Sequence, residues 1–112
     1  MEQKDLGKTS IGIQANLAAA LSYLAGFVTG IIFYVLEKEN KFVRFHAMQS
    51  IVAFGFLFVA MMVIGIVPFI GWAIAFLLWV ASIILWVLLM VKAYQGVTFK
   101  LPVAGDIAEK NS

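Results

Sequence analysis

VAFGFLFVAMMVIGIVPFIGWAIAFLLWVASIILWVLLMV, residues 52–91, contains no Asp, Glu, Lys, Arg or His. Wound as a helix at 1.5 Å per residue it would run roughly 60 Å, twice the hydrocarbon thickness of a bilayer. It is too long for one core helix and has the length of two membrane crossings. Its centre, VPFIG at 67–71, supplies the reversal: Pro68 suits the first turn of a following helix, and Gly65 and Gly71 leave the backbone room to turn. So short a connection predicts an antiparallel helical hairpin with crossings at about 47–67 and 69–93.

Outward from the hairpin lies a third apolar segment, at about 13–36, opened by Thr9 and Ser10 as caps and closed by Glu37, Lys38, Glu39 and Asn40. A strand in lipid would leave its backbone unsatisfied and the chain is too short for a closed barrel, so each segment is expected to be helical. The expected fold is all-α: an integral membrane protein, one domain over 1–112, built as a three-helix transmembrane bundle. A short interfacial C-terminal segment follows in the tail 94–112, after Gln95 and Gly96 end the third helix.

Composition agrees. Of 112 residues, 63% are hydrophobic and 12% charged, with a mean hydropathy of +1.01; a soluble domain carries about a quarter charged residues. There is no cysteine, which excludes disulfide and thiol chemistry. A net charge of +2 is too small to imply nucleic acid and fits a positive-inside excess. Glu2 and Asp5 interrupt Lys4 and Lys8, and the apolar stretch after them is too long for a signal peptide, so the first segment is expected to be retained. Three crossings would put Lys38, Lys41, Arg44, Lys92, Lys100 and Lys110 on one side and only Lys4 and Lys8 on the other. The expected localisation is the prokaryotic inner membrane, multi-pass, with the N-terminus outside and the C-terminus cytoplasmic.

His46, Gln49 and Ser50 are spaced i, i+3 and i+4, so they share a face at the cytoplasmic end of the second helix, with Arg44 half a turn earlier. This face either binds a head group, anion or partner, or serves packing, with Gln49 and Ser50 bonded to neighbouring helices and Arg44 and His46 marking the interface. His46 has no second His, no Cys and no carboxylate pair beside it, so no metal site is expected. Ala18, Ser22, Gly26 and Gly30 recur every four residues and form a small-residue stripe, for packing against the hairpin or between copies. Trp72, Trp79 and Trp86 recur every seven residues along the third helix and read as a packing seam. Trp79, near mid-bilayer, needs a partner for its N–H. The crossings contain no acidic residue, as a proton-coupled pump would need. Nucleophile, phosphate-loop and paired-carboxylate patterns are missing too, so neither an enzyme nor a cofactor is expected. Glu37, Glu39, Asp106 and Glu109 read as counter-charges to nearby lysines.

Two stretches, KFVRFHAMQSI at 41–51 and VKAYQGVTFKLPVAGDIAEK at 91–110, resemble the Tic20-like small membrane proteins of bacteria and archaea. The resemblance runs from about 15 to 110 and rests on Arg44, Phe45, His46, Ala47 and Gln49 in the first motif, and on Ala93, Tyr94, Gly96, Lys100, Leu101, Pro102, Gly105 and Asp106 in the second. It implies kinship with a plastid protein-import component, which has four crossings, and with magnetosome membrane proteins; it implies no activity. The expected binding face joins Arg44, His46, Gln49, Tyr94, Lys100 and Asp106. Arg44 or Lys41 is expected to pair with Asp106, and residues 101–108 to fold back as an interfacial lid over His46 and Gln49. The function expected is a non-enzymatic scaffold, assembly or interaction protein; the alternative is an oligomeric channel or carrier subunit for a small solute or polypeptide. Its expected partners are the bilayer, further copies or other membrane proteins, and anionic lipid.

Overall fold

The computed structural model describes residues 7–112, which form helices and no strand. The readings placed on Glu2, Lys4 and Asp5 fall outside the described residues. The helices are α1 (Ala15–Leu21), α2 (Phe27–Leu36), α3 (Lys41–Ile64), α4 (Ile70–Tyr94) and α5 (Ala104–Lys110).

The helical hairpin is α3 and α4. Both are long and apolar enough to cross a membrane. α3 starts earlier than the apolar run alone suggests because the Asn40 side chain accepts the Val43 N–H at 3.1 Å and caps the helix there. KFVRFHAMQS is thus the first turns of α3, not the approach to it. α4 stops at a Schellman cap: Val97 N–H bonds the Lys92 carbonyl and Gly96 N–H the Ala93 carbonyl, each at 3.0 Å, with Gly96 at φ 80°.

The first apolar segment departs from expectation. It is not one crossing but two short helices, α1 of 7 residues and α2 of 10, about 10 and 15 Å long, neither of which spans a bilayer. The break falls at 22–26, where Gly26 takes φ 61° and ψ −132°, a backbone region open to glycine and strained for any other residue. Side chains satisfy the opened backbone. Thr29 Oγ1 accepts the Ala25 N–H at 3.0 Å and donates to the Ser22 carbonyl at 3.0 Å, while Ser22 Oγ donates to the Ala19 carbonyl at 2.6 Å. From the long hairpin, Ser50 Oγ donates to the Gly26 carbonyl at 2.7 Å and Trp86 Nε1 to the Tyr23 carbonyl at 2.5 Å.

The two ends of this segment therefore meet. Ser10 N–H bonds both carboxylate oxygens of Glu37, at 2.8 and 2.9 Å, and Asn40 Nδ2 donates to the Lys8 carbonyl at 3.0 Å. Residues 7–16 lie at the same end of the molecule as 37–46 and 94–112, not at the opposite end as three crossings would require. Lys8 joins Lys38, Lys41, Arg44, Lys92, Lys100 and Lys110 there, and the turn at 65–69 carries no charge.

Packing follows this layout. The core joins Ala19, Ala20 and Tyr23 to Phe54, Leu89 and Ala93, with Ala15, Ala18 and Val43 beside it. On the long hairpin these contacts reach from the charged end only as far as Phe54, near the middle of α3. The far half is bare: Phe56 is 71% exposed and Ile66 79%. In water such a surface would be a liability, whereas in lipid it is the ordinary exterior.

Because the chain has no native cysteine, its sidedness can be read cleanly. Single cysteines at Thr9 and Lys38 should react with an impermeant thiol reagent from the same face of the membrane, and one at Ile66 from the other. Labelling of positions 9 and 38 from opposite faces would contradict the doubled-back segment.

Candidate functional site

The helical spacing of His46, Gln49 and Ser50 turns all three inward, and each is fully buried. Val97 O can only accept, so the 3.0 Å contact from His46 Nε2 fixes the hydrogen on that nitrogen. His46 Nδ1, in the neutral ring, then accepts from the Tyr23 hydroxyl at 2.7 Å. Tyr23 in turn accepts from Gln49 Nε2 at 2.9 Å. Gln49 also donates to the Phe99 carbonyl at 2.8 Å and accepts the Leu101 N–H at 2.9 Å. The rings of Phe42, Phe45 and Tyr23 stand edge-on around the imidazole, with centroids at 4.7, 5.1 and 5.5 Å. A proton added at Nδ1 would leave the Tyr23 hydroxyl hydrogen without its acceptor, so the network favours the neutral ring.

This is a clamp. One face of α3 grips three carbonyls or amides of the extended strap 97–101, which α4's glycine cap releases across the mouth of the short hairpin. The tail does fold back over His46 and Gln49, but through 97–101; of the expected segment 101–108 only Leu101 reaches them, by its N–H. The expected ion pair is absent: Asp106 lies 3.5 Å from Lys100, which also holds Glu109 at 3.1 Å. The Glu109 hydrogen bond raises the Lys100 pKa, but the pair is exposed and adds little stability. Arg44 instead caps the end of α2. Its Nη1 donates to the Tyr34 and Glu37 carbonyls at 3.1 and 2.8 Å, its Nε to the Ser112 carbonyl at 3.1 Å, and its guanidinium lies 4.1 Å from the Tyr34 ring centroid. Helix-end carbonyls need a donor at this spot, and Asp106 is held by its own neighbour.

Among the other expected residues, Tyr94 is exposed and offers only its carbonyl, to Asn16 Nδ2 at 2.9 Å. Gly30 lies against Ala47 and Ser50 of α3, where a Cβ would approach the Ala47 carbonyl oxygen to 2.9 Å. The small-residue stripe is split by the break: Ala18 and Ser22 are buried on one limb, and Gly26 and Gly30 pack on α3 from the turn and the other limb. The tryptophans do not act alike. Trp86 bonds the break, Trp72 Nε1 donates to the Gly65 carbonyl at 3.0 Å, and Trp79 is 53% exposed beside Phe76 with no hydrogen-bond partner among the described residues.

Glu37 was not expected in the site. It is buried and receives the Ser10 N–H and hydroxyl and the amides of Glu39 and Asn40, all within 3.0 Å. Burial works against its charge, but these donors outweigh it and hold the carboxyl below its ordinary pKa. It anchors Ser10 just ahead of α3 and pairs with no lysine among the described residues. Tyr23 is the other omission; a lone tyrosine amid alanines was its signal. Among the described residues no group of His, Asp or Glu is placed to hold a metal, and no buried polar side-chain atom lacks a partner.

Gln49→Leu removes three bonds and leaves the Phe99 carbonyl and Leu101 N–H unmet, at about 1–3 kcal/mol for each group that stays buried. The expected result is faster proteolysis between 97 and 104, with Tyr23→Phe and Gln49→Leu coupled by about 0.5–3 kcal/mol in a double-mutant cycle of thermal stability. For Glu37, whose folded-state pKa is lowered, the contribution is complete above the ordinary carboxylate pKa and disappears as pH falls through the folded value. Glu37→Gln should therefore destabilise the protein at neutral pH and flatten its loss of melting temperature on acidification.

A UPF0132 membrane protein of Methanocaldococcus jannaschii is 53% identical to this chain over 107 residues, covering 96% of each chain. One from Archaeoglobus fulgidus is 44% identical over 98 residues, covering 88% of this chain and 95% of its own. No solved structure matches. None of these matches shows the expected Tic20-like relation; they show a family of membrane proteins. Residues 8–108 match the magnetosome magnetite crystal formation protein family, a span that takes in both limbs of the short hairpin, the clamp and the strap, and the chain belongs to that family.

Proposed function

We propose that this protein is a non-enzymatic scaffold of the prokaryotic cell membrane, with α3 and α4 crossing the bilayer and the α1–α2 hairpin re-entering it from the charged face. The cytoplasm is the side that basic residues favour, and every described Lys and Arg lies at the end where α3 begins and α4 finishes. Both described ends of the chain are then cytoplasmic, and the turn at 65–69 faces outward. The observation that carries the scaffold reading is the clamp itself. His46, Gln49 and Tyr23 spend their polar atoms on one another and on the strap, which suits building a fixed cap better than receiving a substrate. Lys38, Glu39, Lys41, Asp106 and Glu109 stay exposed on that cap for a membrane-bound partner, and its lysines suit anionic head groups. The family's description concerns magnetite crystal formation; a scaffold that fixes other components at a membrane is a role compatible with it.

A photo-crosslinking residue at Lys41 or Asp106 should trap the same partner in native membranes, and one at Ile66 should not. Gln49→Leu should abolish the adduct from position 106, which the strap positions. Ion conductance or solute flux through the purified protein in liposomes would instead establish the pore alternative.

A further inference from the structure

The breadth of the molecule differs between its two ends. Next to the charges, α1 and α2 flank α3 and α4, and α5 packs on α3. The short hairpin stops where Gly26 meets Ser50 and Tyr23 meets Trp86, with Phe27 reaching Phe58 at a ring-centroid distance of 5.5 Å. Ser50 lies roughly 14 Å along α3 from its first residue, near the bilayer midplane. Beyond that depth only α3 and α4 continue, and Phe56, Val59, Met62, Phe76 and Trp79 stand exposed around them. At a helix diameter of about 10 Å, two additional helices add roughly 150 Å² of cross-section to one leaflet and none to the other.

The shape is held firmly. The turn at 22–26 cannot slide deeper without breaking the bonds from Ser50 and Trp86, and the limbs cannot splay apart without releasing Glu37 from Ser10. α5 adds to the broad end, tied by Tyr34 Oη to the Asn111 carbonyl at 2.7 Å and leaving Val103 and Ile107 outward. A rigid inclusion of unequal cross-section packs with least strain where the leaflet around its broad end is stretched.

We infer that the chain is a leaflet-asymmetric wedge that concentrates in, and at high density favours, membrane whose leaflet on the charged side is convex. The ligand class is a curved lipid surface. The inference rests on the re-entrant reading above; with the broad end cytoplasmic, the favoured bend is a bud or invagination toward the cytoplasm.

The full chain with Lys38→Cys, labelled with a fluorophore, is reconstituted at low density into phosphatidylcholine–phosphatidylglycerol vesicles of mixed diameter. An impermeant quencher separates molecules with the broad end outward from those with it inward. Each orientation serves as the other's control, so no folding-sensitive variant is needed. The expected result is a several-fold rise in density from the largest to the smallest vesicles for the outward population and a fall for the inward one. Equal densities at all sizes, or enrichment of the inward population in small vesicles, would overturn the wedge. Thiol accessibility at Lys38→Cys and Ile66→Cys in the same vesicles reports the crossing separately, so failure of sorting is distinguishable from failure of the membrane reading.

Discussion

A helix break at bilayer depth has to find partners for every backbone group it frees, because lipid offers none. At the break at 22–26 six side-chain bonds, made by Ser22, Thr29, Ser50 and Trp86, take up freed backbone groups. The rest of the architecture follows. The turn can stop partway along the long hairpin only because α3 presents Ser50 and α4 presents Trp86 at that level. Once it stops there, the limbs must return to the face they left, which brings Ser10 to Glu37 and residue 8 to Asn40. The burial of the cap, and the bareness of the far half of the long hairpin, both descend from that one satisfied turn.

The clamp extends the same logic to the tail. Tyr23, two residues beyond the end of α1, places its hydroxyl between His46 and Gln49 and its ring against Phe54. The short hairpin, the long hairpin and the strap thus share a single polar core, enclosed by aromatic rings and closed to solvent. Buried networks of this kind stabilise only when complete, and this one is complete.

Much of this was legible in the sequence. The charge-free run and VPFIG gave the long hairpin, the i, i+3, i+4 spacing put His46, Gln49 and Ser50 on one face without saying that it turns inward, and Gln95-Gly96 marked the end of α4. The first segment misled because apolar length is a coarse signal: 13–36 is long enough to span, and nothing in its hydropathy marks a reversal. The same residues that read as a small-residue stripe, Ser22, Gly26 and Gly30, are also those that end helices and let backbones approach. Only Thr29, placed to accept the Ala25 amide, separates the two readings, and its role depends on a turn it helps to make. Formal charge points Arg44 or Lys41 toward Asp106, but the unmet carbonyls at the end of α2 are the stronger demand on Arg44. Glu37 was passed over because a carboxylate beside lysines resembles a solvated charge until its four donors converge.

The separation between the break and its rescuers bears on how the protein is made. Ser50 follows Gly26 by 24 positions and Trp86 follows Tyr23 by 63. During synthesis the first apolar segment thus emerges long before the side chains that satisfy its opened backbone. Until α4 arrives, the nascent chain must shelter that segment at the membrane surface or in the insertion machinery, or hold it provisionally as an unbroken helix. The mature arrangement is therefore a late event in biogenesis, reached only after Trp86 has been made and packed against the break.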